Sequence, residues 1–124
     1  MSESDETTYR LYQEGCERLS AGDPRGAAEV LELAAERAPD EASIYETLAR
    51  AYFASAQLRR ARWAFEEALD RDPSDPYAHF GAGRCHERMG RLDAAAGHYK
   101  LACAMSEREE YHDALTRLES RRAS

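Results

Sequence analysis

Ala27, Ala61 and Ala95 stand 34 residues apart, and other positions keep the same step. Phe65 answers to Leu31 and Tyr99, and Ala68 to Ala34 and Ala102. Ala49 answers to Gly15 and Gly83, and Pro73 to Pro39. Columns of matching size and character at one fixed period constrain the chain to consecutive copies of a single unit, stacked so that each covers its neighbour's apolar face. The clearest copy runs from Ala42 to Asp75.

Within each copy the apolar residues follow the helical period, in two runs separated by a turn. Residues 1–7 form an acidic, polar lead-in expected to be mobile. From Thr8, Leu11, Tyr12, Gly15, Cys16 and Leu19 mark a first helix, which stops at Ser20-Ala21-Gly22. Asp23 reads as an N-cap and Pro24 as the first residue of the next helix, where a missing N–H costs nothing. Ala27, Val30, Leu31, Ala34 and Ala35 share a face of that helix.

The second copy repeats the scheme with Ile44, Tyr45, Leu48, Ala49, Tyr52 and Phe53. Leu58, Ala61, Trp63, Ala64, Phe65, Ala68 and Leu69 follow. Asp72-Pro73-Ser74-Asp75-Pro76 breaks the pattern, with Ser74 or Asp75 as the next cap. The third copy carries Phe80, Ala82, Gly83, Cys85 and His86, a turn at Met89-Gly90-Arg91, then Leu92, Ala95, Ala96, Tyr99, Ala102 and Cys103. Glu107 occupies the proline column there, and Ser106 to Glu109 spells a capping box. It would open a last helix with Tyr111, Ala114, Leu115 and Leu118 on one side and Glu110, Asp113, Arg117 and Arg121 on the other. One apolar and one polar face suit a helix that ends a stack.

These columns resemble the tetratricopeptide repeat, most closely in Tyr45, Leu48, Ala49, Tyr52, Ala61, Phe65, Ala68 and Pro73. The outer copies depart from it: the tryptophan-like column holds Leu11, Tyr45 and His79, and the tyrosine column holds Arg18, Tyr52 and His86. The resemblance implies an all-α, right-handed α-solenoid of seven helices in a single domain. Its repeats would span 8–41, 42–75 and 76–107, with a capping helix at 108–121. It also implies a protein-interaction scaffold or adaptor whose first helices line a concave groove.

By analogy with the family's groove-facing positions, that groove would present Tyr9, Tyr12, Gln13, Arg50, Phe53, Tyr77, Phe80, Arg84 and Arg88. Cys16, Leu19, Ser43, Glu46, Thr47, Gly81 and Glu87 would lie beside them, and Tyr111 would close the far end. Aromatic and Arg residues are the usual interface hot spots. The expected ligand is therefore a peptide with an acidic group and an apolar anchor. A blander expectation competes: Tyr12, Phe53 and Phe80 would only pack helices, and the arginines would pair with local glutamates. The lysine and asparagine clamp with which some relatives hold a chaperone's C-terminal carboxylate is missing. The matching positions are Tyr12, Cys16, Thr47, Tyr77 and Gly81. Self-association through Trp63 and the end helices, giving a homodimer, is the alternative function.

Composition narrows the remaining classes. A net charge of -7 argues against nonspecific nucleic-acid binding. Arg59-Arg60-Ala61-Arg62 reads as a solvated face, because Glu66 and Glu67 follow one turn on. The start of the chain lacks the pattern of a signal peptide, and no apolar run is long enough to span a bilayer. Three cysteines without a CxxC pattern predict buried, reduced thiols in a cytoplasmic protein. His79 and His86, about 10 Å apart along one helix, are too distant to share a metal unaided, and His98 and His112 look isolated. No nucleophile sits among paired carboxylates and no glycine loop cradles phosphate, so neither an enzyme nor a cofactor is expected.

Overall fold

The computed structural model describes residues 2–124. Seven helices follow one another, and no strand occurs among the described residues. They are α1 (Glu3–Ser20), α2 (Pro24–Arg37), α3 (Ala42–Ala54), α4 (Leu58–Arg71), α5 (Pro76–Arg88), α6 (Leu92–Met105) and α7 (Glu109–Ala123). Each helix packs on the next, and α1 with α3, and α3 with α5, also meet. The first helices of successive hairpins therefore share one face.

The repeated columns are the core. Ala27, Leu31, Ala34, Leu48, Ala49, Ala61, Phe65, Ala68, Ala95, Tyr99 and Ala102 are all buried. Small residues make room for the large column. A methyl group added at Gly15 would strike Leu31, and one at Gly83 would strike Tyr99. The same holds between hairpins, where Gly81 leaves space for the Phe65 ring.

The turn inside each hairpin repeats as faithfully as the core. Gly22, Ala56 and Gly90 all have positive φ, of 83°, 62° and 79°. In each case the next residue's N–H reaches back to close the first helix: Asp23 to Arg18, Gln57 to Tyr52 and Arg91 to His86, all at 2.8 Å. The left-handed residue itself donates to Leu19, Phe53 or Glu87. These paired bonds satisfy carbonyls that the helix end would otherwise leave unpaired, the Schellman arrangement. Where a helix opens on proline, Asp23 before α2 and Asp75 before α5 cap as expected, accepting from Gly26 and Tyr77 N–H at 3.0 and 2.9 Å.

Two sequence expectations fail at the ends. The helix α1 starts at Glu3, not Thr8, so the lead-in expected to be mobile is helical from there; Met1 lies outside the described residues. The Ser2 hydroxyl accepts the Asp5 N–H, and the Asp5 carboxylate accepts the Ser2 N–H. Glu3, Asp5 and Glu6 suit the positive end of the helix dipole. Apolar spacing marks only the part of a helix that is buried, whereas these polar residues extend it.

The capping box at Ser106 does not form. Ser106 is extended and ends α6, its hydroxyl accepting only the Arg108 N–H, and Arg108 precedes α7 without a side-chain cap. Helix α7 begins two residues later than the box requires. It is held by burial of Tyr111, Ala114 and Leu118, with the Tyr111 ring 4.8 Å from that of Phe80. Its opposite side, with Glu110, Asp113, Arg117 and Arg121, is exposed.

Candidate functional site

The face shared by α1, α3 and α5 carries the expected groove residues, but in three different states. Tyr9 and Gln13 are exposed and bonded to each other, the Gln13 amide donating to the Tyr9 hydroxyl at 3.2 Å. Tyr12 is half-buried, its hydroxyl 3.4 Å from Thr47 Oγ1, so it ties α1 to α3. Phe80 is only 3% exposed and Tyr111 1%, so both belong chiefly to the core beneath α7. Phe80 still borders the concave face beside Arg84, but not as a free ring. Sequence spacing could not separate these cases, because core and groove faces adjoin on one helix.

Arg50, Arg84, Arg88, Phe53 and Tyr77 come together. The Arg84 guanidinium lies 4.3 Å from the centre of the Phe53 ring and 5.6 Å from that of Phe80. Arg88 approaches the same Phe53 ring at 5.0 Å, and Arg50 lies 6.0 Å from Tyr77. Among the described residues, no carboxylate forms an ion pair with Arg50, Arg84 or Arg88. The expectation that local glutamates would neutralise them is not met. Glu87 is engaged elsewhere, accepting from the Tyr99 hydroxyl and from Arg121.

Arg84 separates two concavities. One, of about 210 Å³, is bounded by Leu19, Arg50, Phe53, Ala54, Phe65, Tyr77, Gly81 and Arg84. The other, of about 540 Å³, is bounded by Phe80, Arg84, Glu87, Arg88, Tyr99, Ala114, Arg117 and Arg121. The smaller is mainly apolar and aromatic, and the larger is rimmed by four arginines. Arg117 and Arg121 were legible only as the polar stripe of a capping helix; nothing in their spacing assigns them to this hollow.

Glu46 also lies on this face. Burial, then a hydrogen bond and repulsion from the Asp75 carboxylate, push its carboxyl up to about 8, against the pull of Arg50. Ionising Glu46 beside Asp75 is therefore disfavoured, which weakens any pairing of its carboxyl with Arg50.

A family model for the tetratricopeptide repeat matches residues 12–55 and 46–110. The chain is a tetratricopeptide repeat protein. No curated protein matches it. Solved structures share its fold at low sequence identity. The first tetratricopeptide domain of Spaghetti (RPAP3), bound to the HSP90 peptide SRMEEVD, is 18% identical with a TM-score of 0.92, over 96% of this chain and 95% of that one. The Yersinia enterocolitica type III secretion chaperone SycD, in complex with a peptide of the translocator YopD, is 21% identical with a TM-score of 0.80, over 93% and 88%. PcrH, in complex with the chaperone-binding region of PopD, is 20% identical with a TM-score of 0.80, over 97% and 90%.

Away from the groove, this tetratricopeptide repeat protein departs from two expectations. His98 is not isolated. Its Nδ1 is 3.3 Å from that of His79, and its ring stacks on His86 at 5.4 Å between centres. Sequence distance concealed this, since His98 lies on α6 and the others on α5. The cysteines are free, but only Cys85 is buried, while Cys16 and Cys103 are half-buried. Burial pushes the Cys85 thiol up to about 12, which leaves it unreactive. The basic run behaves as a solvated face: Arg62 pairs with Glu66 at 3.3 Å, and Arg59 and Arg60 are exposed. No described helix is long and apolar enough to cross a membrane.

Proposed function

We propose that this protein is an adaptor whose concave face binds an extended protein segment carrying an acidic group and an apolar anchor. The observation that carries this reading is the set of three arginines, Arg50, Arg84 and Arg88, held against aromatic rings with no carboxylate partner. A guanidinium stacked on a ring keeps its N–H fork free for a carboxylate. The apolar hollow beside Phe53 and Tyr77 suits the anchor, and the Arg-rimmed hollow suits the acidic group. The peptides named with SycD and RPAP3 support peptide binding by this fold. A chaperone tail is a poor candidate here, because Tyr12, Cys16, Thr47, Tyr77 and Gly81 supply neither the Lys nor the Asn of the usual clamp. A reducing compartment such as the cytoplasm suits the free thiols.

The test is selection of ligands from a displayed peptide library, followed by titration of the best sequence. Selected peptides should share an Asp or Glu near a bulky apolar residue. The Arg50→Glu, Arg84→Glu double variant should bind at least about tenfold more weakly, the loss of ~1.4 kcal/mol or more, with its helical circular dichroism unchanged. Undiminished affinity would reject the groove.

A second reading, self-association, has its own observation. Trp63 is 47% exposed, edge-on to Tyr45, and Leu33 and Leu101 are exposed on the other second helices. Light scattering separates the two: a mass that doubles with concentration, and that Trp63→Ala abolishes, would support a homodimer.

A further inference from the structure

We propose that the three imidazoles wedged between α5 and α6 form an acid-sensitive latch: neutral, they hold the third hairpin closed, and protonated, they force it apart. His79 and His86 are nearly fully buried, and His98 is half-buried between them. The Pro73 carbonyl can only accept, so His79 donates to it from Nε2, at 3.1 Å. His79 Nδ1 is then the acceptor for the Nδ1–H of His98, at 3.3 Å. The neutral cluster is thus held by one defined pair of tautomers. A proton added at His79 Nδ1 would set two N–H groups face to face and break that bond. A proton on His98 or His86 would put a charge into a largely buried stack, its planes 12° from parallel, where burial opposes it.

The surroundings do little to offset this. From α4, Glu66 approaches His86 Nε2 at 3.9 Å, but Arg62 already holds that carboxylate at 3.3 Å. Arg62 and, beyond the turn, Arg91 oppose a charge on His86. His86 Nδ1 is buried without a hydrogen-bond partner. Burial, with the neighbouring imidazoles and arginines, holds His86 and His98 below the ordinary histidine value of 6.5. The unfolded chain therefore takes up protons more readily, and stability present above about pH 6.5 is lost as pH falls below it. The second repeat has Tyr45, Tyr52 and Ala64 at the same three places, with no imidazole among them. Because α5 also carries Tyr77, Arg84 and Arg88, opening this hairpin would dismantle half of the groove; that consequence rests on the binding reading above, whereas the latch does not.

Thermal melts at about pH 7.5 and about pH 5.5 test the latch without any ligand. Every protein carries Glu46→Gln, since Glu46 titrates in the opposite sense. The triple variant His79→Tyr, His86→Tyr, His98→Ala copies the second repeat, His98→Ala alone removes the middle ring, and His112→Gln alters the exposed histidine outside the cluster. The parent should lose at least about 3 °C more between the two pH values than the triple variant. His98→Ala should also lose less than the parent, and His112→Gln should behave like the parent. An equal loss in parent and triple variant would overturn the proposal, as would a flattened profile in His112→Gln. If the triple variant does not fold, His98→Ala decides alone, and a loss equal to the parent's overturns it.

Discussion

Phe65 and Ala61 show how strongly single side chains are dictated here. Phe65 is 2% exposed, edge-on to Tyr77 and close above Gly81. Phe65→Ala should cost ~3–5 kcal/mol, because both hairpins it touches lose filling. Ala61→Leu should cost ~1–3 kcal/mol by overpacking. Urea denaturation checks both, and an Ala61→Leu protein as stable as the parent would refute close approach at that column. These columns were legible because repetition marks them three times over. The groove residues were less so. Arg84 and Phe53 could be nominated from the family pattern, but the burial of Phe80 depends on α7, which breaks the period. Glu46 carries a different prediction. It is held up at about 8 while its ordinary value is 4.5, so the folded chain keeps a proton there that the unfolded chain gives up. Stability is therefore lost as pH rises through that window. Glu46→Gln keeps a donor for Asp75 and cannot ionise. Its stability relative to the parent should rise between about pH 6 and about pH 8.5, and a constant difference in urea midpoints would contradict this.

At the scale of elements, the hairpin turn sets the geometry of each repeat. Gly22 and Gly90 adopt the left-handed conformation freely, whereas Ala56, the same position in the second repeat, adopts it with a Cβ in the way. Ala56→Gly should stabilise the protein by about 0.5–1 kcal/mol, the strain relieved exceeding the added chain entropy. A lower melting temperature in that variant would show that the turn is not strained. The turns were legible as places, from Gly22 and Gly90, but the strained conformation at Ala56 was not, since alanine carries no turn signal. The helix ends were misread where polar chemistry decides. Ser2 with Asp5 forms a capping box, while Ser106 with Glu109 does not, although both spacings fit. Tertiary burial of Tyr111 fixes the start of α7, and a local motif cannot anticipate it.

For the whole molecule, stacking turns three marginal hairpins into one continuous core and leaves two unlike surfaces. The first helices present stacked arginines and aromatics, and the second helices present isolated apolar side chains such as Leu33, Trp63 and Leu101. The stack itself was legible from its period. Which surface binds was not, because the proposed reading rests on charges left unpaired in three dimensions. Amide chemical-shift mapping, during titration with an acidic, apolar-anchored peptide from the library, tests the central claim most directly. The account predicts perturbations concentrated at Arg50, Phe53, Tyr77, Gly81 and Arg84. Perturbations centred instead on Leu33, Trp63 and Leu101 would contradict it.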